Sequence, residues 1–495
     1  MGIDDLFHSP LSHLASFFQT QVHLYRHDAS LQDYFIALQL DSLTGQRATP
    51  RDRDSLTSRY EWGIQYADRV SRVGKRKRVK GDVLLCTNPD FRRKTETSFF
   101  IKTLLGIAET GAKIICLLPR SSPCRDEIDS LLEAAGRRGQ VEFVDPATPV
   151  NRMEQSTRGR VARMRGRSAF AEAVEVLEPH GLSPSQRALP HFELVASHVE
   201  AWERLAPSIE FDAVVARCHW LPLCSSVGRT ALQRGKPVIT FQQGVIGHTL
   251  DVPVTASTFV SFGQASASFL GKTNREFFKA ANAAEPPVEF VSGGCFVDNL
   301  TVLANQFERR TLLVVDVPNA QTDFYGIESE CKALLDLIAK LLNAGHRVII
   351  RPHPYWSDLD FRECQRLVLE HPTLCEISHP SWSLEDDLHR SSAVMGIFSG
   401  VLTVAAACGL PAFFLQTRDG YATGDLACFS RGETLLPDAA FCMISRIMTD
   451  REAYASARDV SLRNAREYYK DGANAELDGQ FFERLLQNRG QDTLR

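Results

Sequence analysis

From residue 82 onward the chain repeats one pattern: a short apolar run, a turn, and an amphipathic helix. Runs such as Val83–Cys86 and Leu312–Val315 contain no polar side chain, which is typical of parallel strands buried on both faces. Strands that alternate with helices in this way predict βα units. The pattern occurs in two series that join near residues 295–310. We therefore predict an α/β fold with two Rossmann-like domains facing a cleft, and with terminal helices.

The length supports this division, because 495 residues exceed what one ordinary hydrophobic core accommodates. Residues 145–190 interrupt the first series with charges, glycines and prolines, and we expect an insertion or a mobile loop there. The predicted parts are an N-terminal helical region at 1–80, an N-terminal Rossmann-like acceptor domain at 81–305, a C-terminal Rossmann-like donor domain at 306–470, and a C-terminal helix at 471–495.

Composition restricts the class of protein. A hydrophobic content of 44% and a charged content of 23% are typical of a soluble globular chain, and a net charge of -4 gives no general attraction to nucleic acid. The twelve cysteines include no C-x-x-C pair, which favours reduced thiols in a cytoplasmic protein over a zinc ribbon or a disulfide framework. We find no signal-peptide pattern and no apolar run of roughly 18 residues, the length a membrane span needs.

Two basic clusters stand out against this neutral background. Such runs are usually solvated surfaces, and the alternative is peripheral contact with an anionic membrane, here the inner face of the cell membrane. The clusters are Arg72, Lys75, Arg76, Lys77, Arg78 and Lys80, followed by Arg152, Arg158, Arg160, Arg163, Arg165 and Arg167.

The first motif with chemical potential is Arg351-Pro352-His353-Pro354, which follows the apolar run 348–350. Each proline restricts the residue before it to an extended conformation, and neither can donate to a sheet ladder. The predicted strand therefore ends here in a rigid turn. We expect His353 to donate a hydrogen bond to a phosphate, with Arg351 beside it. The alternative is a solvated histidine at a strand end.

The second motif, Phe398-Ser399-Gly400, lies between an apolar strand and a helix of small apolar residues. Ser399 is suited to cap that helix, and amide groups at a helix N-terminus attract phosphate. Thr403 lies one turn further along and would face the same way. The sequence predicts a phosphate site at Ser399, Gly400 and Thr403, although a simple capping serine explains the same residues.

The N-terminal domain offers weaker candidates at its strand ends. Gln243 and Gly244 follow a predicted strand, and the glycine permits close approach of a ligand. His248 lies in the same turn, and Asp90 and Glu96 follow the first strand of the series. We name Asp90, Glu96 and His248 as candidates for the general base that deprotonates an acceptor hydroxyl.

Several activities are disfavoured by missing motifs. No G-x-G-x-x-G follows a strand, as a dinucleotide oxidoreductase requires, and no G-x-S-x-G elbow of a serine hydrolase is present. Gly271-Lys272-Thr273 lacks the earlier glycine and the preceding strand of a phosphate loop. Asp358 and Asp360 have no partner carboxylates. We therefore predict neither a metal nor a cofactor.

Residues 351–354 and 398–403, continued by Ala407-Cys408-Gly409-Leu410-Pro411, resemble a family motif. The arrangement resembles the GT-B glycosyltransferases, and within them bacterial surface-polysaccharide enzymes with a His-Pro motif: polysialyltransferases, capsule Kdo transferases and CDP-glycerol glycerophosphotransferases. The resemblance covers roughly residues 310–415. It implies that His353, and also Ser399 and Thr403, bind the phosphate of a cytidine nucleotide donor. An acidic-acidic-Gly motif that supplies the base in polysialyltransferases is absent between 80 and 300, so the base stays unassigned.

This resemblance implies a metal-independent, inverting glycosyltransferase that moves a sugar from a CMP- or CDP-activated donor to a growing surface polysaccharide or glycolipid. Two alternatives remain open. A non-hydrolysing UDP-sugar epimerase shares the two-domain plan, but it needs several carboxylates in the cleft, and the sequence does not place them. A catalytically silent scaffold would bind glycan or a partner transferase without turnover.

Overall fold

The structure is a computed structural model. It describes residues 12–38, 78–86, 94–118, 125–146, 152–242, 252–293, 302–317, 328–352, 358–379, 383–397, 399–415, 434–469 and 477–487.

The elements of the first half alternate as predicted. They are α1 Ser12–His27, β1 Val79–Lys80, β2 Val83–Cys86, α2 Lys94–Glu109, β3 Ile114–Leu117, α3 Arg125–Ala134, β4 Val141–Val144, α4 Arg152–Leu177, α5 Leu189–Leu205, β5 Ile209–Glu210, β6 Ala213–Ala216, α6 Pro222–Gln233, β7 Val238–Phe241, β8 Thr258–Ser261, α7 Gln264–Ala281 and β9 Glu289–Ser292.

The second half continues the alternation and ends in helices. Its elements are β10 Thr311–Val317, α8 Glu328–Asn343, β11 Arg347–Pro352, α9 Asp358–Glu370, β12 Cys375–Ile377, α10 Leu384–Arg390, β13 Ala393–Gly396, α11 Gly400–Ala407, β14 Ala412–Leu415, β15 Thr434–Leu435, α12 Pro437–Thr449, α13 Arg451–Tyr468 and α14 Gly479–Gln487.

Two parallel sheets confirm the predicted pair of Rossmann-like domains. The first has the order β4-β3-β2-β6-β7-β8-β9, and the second has the order β12-β11-β10-β13-β14-β15. Every pairing in both sheets is parallel. Numbered along the chain, each order begins 3-2-1-4-5-6, the doubly wound arrangement of Rossmann folds. In each sheet the strand order therefore reverses between the first and fourth strands.

Burial explains why the central strands consist of apolar residues only. In β2, β3, β6, β7 and β8, all four residues of each strand are buried, because helices cover both faces of the sheet. Alternate residues of β2 enter two different cores: Leu84 packs with one layer of helices, and Val83 and Leu85 pack with the other. Strand β10 behaves in the same way, with Val314 in one core and Val315 in the other.

The N-terminal region is part of the first domain's packing. Phe18 and Val22 of α1 enter a core of the first sheet, and Phe18 meets the ring of Phe277 on α7 edge to face, 5.8 Å between centroids. The carboxylate of Asp33 is buried, accepts hydrogen bonds from hydroxyls of α6 and pairs with Arg229. These contacts hold residues 12–38 against the sheet.

The expectation of an insertion or mobile loop at 145–190 is wrong for residues 152–177, which form the 26-residue helix α4. Ala162, Ala169 and Ala173 lie on one face of this helix and are buried against α5 and the N-terminal segment. Arginines on its other face mask this spacing in the sequence. Two of them make ion pairs with α5: Arg165 with Glu203, and Arg167 with Glu193 at 3.0 Å. Membrane contact through this cluster stays a prediction.

The end of the chain returns to the first domain. Helices α12 and α13 pack on the second sheet, whereas α14 lies against α2, where the Phe482 ring reaches Phe241 of β7. Gly106 of α2 permits this contact, because a Cβ at that position would lie 2.1 Å from the carbonyl oxygen of Leu477. Within the described residues, no helix is long and apolar enough to cross a membrane.

Candidate functional site

The second sheet has its strand reversal between β10 and β13, and this position defines the candidate site. In open α/β sheets, a crevice for ligands forms outside the carboxyl ends of the strands where the order reverses. Gly396 closes β13 tightly against β10: a Cβ there would lie 2.7 Å from Cγ2 of Val315. The chain then turns into α11 at Ser399.

Ser399 caps α11, as predicted. Its side-chain oxygen accepts a hydrogen bond from the amide of Val401 at 3.2 Å, and its carbonyl accepts from the amide of Leu402 at 3.1 Å. Gly400 is exposed, and a Cβ added to it would meet nothing within 4 Å. The positive end of the helix dipole is therefore open to an anion at this turn.

Thr403 supports the turn from below. Its side chain is 1% exposed, its hydroxyl donates to the carbonyl of Gly400 at 2.8 Å, and it is hydrogen-bonded to the hydroxyl of Tyr469. These contacts fix the first turn of α11 against the end of α13. A direct contact between Thr403 and a phosphate stays a prediction.

Arg351 lies at the end of β11, on the same edge of the sheet as Ser399. Strand β10 separates the two strands, so their ends are roughly 10 Å apart at two strand spacings. The guanidinium pairs with the fully buried carboxylate of Asp387, which also accepts from the Ser378 hydroxyl at 2.6 Å. The side chain of Arg351 keeps 27% of its surface exposed. This ion pair fixes the strand end that leads into His353.

Sequence reasoning assigned the acidic residues of α10 to capping, and this is correct for Asp386. The Ser383 side chain and the Asp386 side chain form a reciprocal capping box. The role of Asp387 as the buried partner of Arg351 was missed, because the sequence does not show that α10 turns this carboxylate toward β11.

Several predicted site residues lie outside the part of the chain that the structure describes: Asp90, Gln243, Gly244, His248 and His353. Their neighbours locate them along the sheets. His353 follows the last residue of β11, and Gln243 follows Gln242, just beyond β7. Glu96 lies in the first turn of α2. Their roles stay predictions.

At the carboxyl edge of the first sheet, the structure identifies Arg217 and Gln242, which sequence reasoning missed. Arg217 follows β6 directly, next to the strand reversal, and is 3% exposed. Its guanidinium donates to the carbonyl oxygen of Gln242 at 3.1 Å and lies 4.5 Å from the centroid of the Phe99 ring. The signal in the sequence was an arginine directly after an apolar strand.

Gln242 also links the two domains. Its side-chain oxygen accepts from the Phe262 amide at 2.7 Å, and its Nε2 donates to the hydroxyl of Tyr468 at 3.3 Å. Tyr468 precedes Tyr469, which is bonded to Thr403. Hydrogen bonds and one chain step thus run from the edge of the first sheet to the phosphate turn of the second. We call Gln242, Tyr468, Tyr469 and Thr403 the inter-domain link.

Neither a thiol nucleophile nor a bound metal is indicated near the first strand reversal. Burial raises the pKa of the Cys218 thiol well above its ordinary value of 9.0, so this thiol stays protonated at neutral pH and is a poor nucleophile. Among the residues described here, no group of three or more His, Cys, Asp or Glu side chains is arranged to hold a metal ion.

No protein-family model matches the chain, and no curated protein matches it. Among solved structures, the UDP-GlcNAc 2-epimerase from Neisseria meningitidis bound to UDP-GlcNAc is 13% identical, with a TM-score of 0.46; the match covers 83% of this chain and 100% of that one. HepE of Anabaena, in complex with UDP and glucose, is 12% identical at 0.46, covering 82% and 99%. A glycosyltransferase from Rickettsia africae is 8% identical at 0.46, covering 83% and 99%. At these values no residue role is transferred to this chain.

Proposed function

We propose that this chain is a glycosyltransferase of GT-B type, which moves a sugar from a nucleotide donor to a glycan or glycolipid acceptor. The observation that carries the proposal is the open turn at Ser399 and Gly400. It lies at the strand reversal of a doubly wound sheet and presents a helix N-terminus to the crevice. This geometry suits a phosphate group without requiring a metal.

In the proposed reaction, an acceptor hydroxyl oxygen attacks the anomeric carbon of the donor sugar. The bond from that carbon to the phosphate oxygen breaks, and its electron pair leaves with the nucleotide. His353 and the amides near Ser399 stabilise the negative charge on the departing phosphate. One of Asp90, Glu96 and His248 takes the proton from the acceptor. A single displacement inverts the anomeric configuration.

The inter-domain link gives the reaction a structural basis for bringing two substrates together. The acceptor is assigned to the edge of the first sheet and the donor to the edge of the second. Gln242 and Tyr468 connect the two edges directly. The proposed donor is CMP- or CDP-activated, which follows from the resemblance of residues 351–354 and 398–403 to the surface-polysaccharide enzymes.

A thermal-shift screen of CMP, CDP, UDP, GDP and ADP tests the donor site, since a ligand that binds only the native state raises its melting temperature. We expect the cytidine nucleotides to give the largest shift, and His353→Ala to abolish it. A larger shift with UDP would overturn the cytidine preference and keep the nucleotide site. No shift with any of the five nucleotides would overturn the transferase proposal.

Two further assays separate the alternatives. An epimerase exchanges the hydrogen on the carbon next to the anomeric centre with solvent deuterium, whereas the proposed transferase does not. A silent scaffold binds glycan but does not hydrolyse a donor slowly in the absence of acceptor. We expect slow donor hydrolysis without deuterium exchange.

A further inference from the structure

A pocket lies between the N-terminal segment and the carboxyl edge of the first sheet. It has a volume of about 390 Å³, counting the solvent at its open mouth, at the lower end of the range of roughly 300–1,000 Å³ for small-ligand sites. Residues 219 and 220, just after β6, form one wall, and the chain at 252–255 forms another. The N-terminal segment closes it with Gln21, Gln32, Phe35 and Ile36.

Gln21 gives this pocket a specific chemical requirement. The side chain is 2% exposed, and its Nε2 donates to the carbonyl oxygen of Val252 at 2.8 Å. This bond fixes the orientation of the amide, because the opposite orientation would place two acceptor oxygens together. The remaining amide atom, Oε1, is buried and accepts no hydrogen bond from the residues that the structure describes. It is therefore suited to accept one from a ligand O–H or N–H group.

The rest of the lining is neutral. None of the ten lining residues is Asp, Glu, Lys or Arg. The hydroxyl of Ser225 donates to Asp33, and that of Thr255 donates to the carbonyl oxygen of His219 at 3.2 Å, so both donors are already engaged. Trp220 is half-buried and offers a flat apolar surface with a polar edge. A phosphate finds no positive charge here, whereas a neutral ring that carries hydroxyl groups finds both an apolar face and an acceptor.

We infer that this pocket binds the hydroxylated edge of one neutral sugar residue of the acceptor, with a hydroxyl donating to Gln21 Oε1 and the ring lying against Trp220. The inference rests on the proposed transferase function and specifies the substrate class at its acceptor side. The position agrees with that role, because residues 219 and 220 follow β6 at the same sheet edge as Arg217 and Gln242. The nucleotide turn lies on the other sheet, so the two substrates do not compete.

Saturation-transfer NMR on the full chain tests this inference, with methyl glycosides of glucose, galactose and N-acetylglucosamine as probes. Gln21→Met removes the acceptor oxygen at similar volume. Thr255→Phe fills the mouth at a half-buried position without deleting a buried group, and Thr449→Phe places the same ring at an exposed remote position as the matched control. We expect at least one glycoside to bind, and both pocket variants to weaken it roughly threefold to tenfold, the effect of one lost hydrogen bond. The control should bind like the wild type.

The nucleotide screen on the same samples separates this inference from the proposed function. Wild-type melting shifts with nucleotides, retained in both pocket variants, show that the variants are folded and that the donor site is intact. Glycoside binding that survives both substitutions would overturn the pocket assignment and leave the transferase standing. The same holds if nucleotides bind and no glycoside does. Glycoside binding without any nucleotide binding would overturn the transferase instead.

Discussion

Gly400→Ala separates the fold of the phosphate turn from its function. Gly400 is the first residue of α11, and its backbone lies outside the left-handed region that favours glycine. An added Cβ would meet no protein atom within 4 Å. The methyl group would therefore occupy only the space in which the account places the phosphate.

The two effects of this substitution are expected to have opposite signs. Replacing glycine by alanine where the backbone conformation permits it stabilises a protein by about 0.4–1 kcal/mol, chiefly by restricting the unfolded chain. For a domain of this size, that raises the melting temperature by roughly 1–4 °C. A methyl group that holds the phosphate away from the turn forfeits at least one hydrogen bond to a charged group, about 1.5–3 kcal/mol. This corresponds to roughly 10- to 150-fold weaker nucleotide binding.

The assay measures the melting temperature without ligand and the nucleotide dissociation constant by titration calorimetry, on the same preparations. Gly139→Ala is the matched control, since a Cβ there also meets nothing within 4 Å, and Gly139 lies between α3 and β4, away from the second sheet. We expect the control to bind nucleotide like the wild type. If Gly400→Ala keeps or raises the melting temperature and leaves the dissociation constant unchanged, no phosphate approaches this turn and the reasoning is refuted.

Three further predictions concern the link, the chain end and pH. Tyr469→Phe removes the hydroxyl bonded to Thr403 and should weaken nucleotide binding roughly threefold to tenfold by calorimetry; unchanged affinity would show that the link does not position the turn. Gly106→Ala should displace α14, with about 1–3 kcal/mol lost in urea unfolding and faster proteolysis of the chain end; native resistance would contradict the packing. Burial, followed by the charges of two neighbours, lowers the pKa of His23 from 6.5, so its stabilising contribution is present above pH 6.5 and is lost as the pH falls below it. The melting temperature should fall in that range, and less so in His23→Phe.

The strand and helix pattern predicted most of the fold, because buried parallel strands and one-sided helices have distinct periodicities. The sequence placed β2 and β14 at the residues that the structure shows. It missed α4 because arginines on the exposed face concealed the alanines on the buried one. The fold class followed from this rhythm, since two series of βα units need two sheets.

The candidate site was predictable only in part. The cap at Ser399 followed from local sequence, since N-caps depend on residues within one turn. The contacts of Thr403 with Tyr469 and of Arg351 with Asp387 join residues 66 and 36 positions apart, and no local pattern encodes such pairs. The pocket around Gln21 was missed for the same reason, because the elements that form it come from distant parts of the chain.

The most direct test of the phosphate site is a crystal structure of the chain with CDP or UDP. The account predicts a phosphate within about 2.7–3.2 Å of an amide at the Ser399–Gly400 turn, on the edge where β10 and β13 separate. A nucleotide bound elsewhere, with this turn in contact with solvent alone, would contradict it.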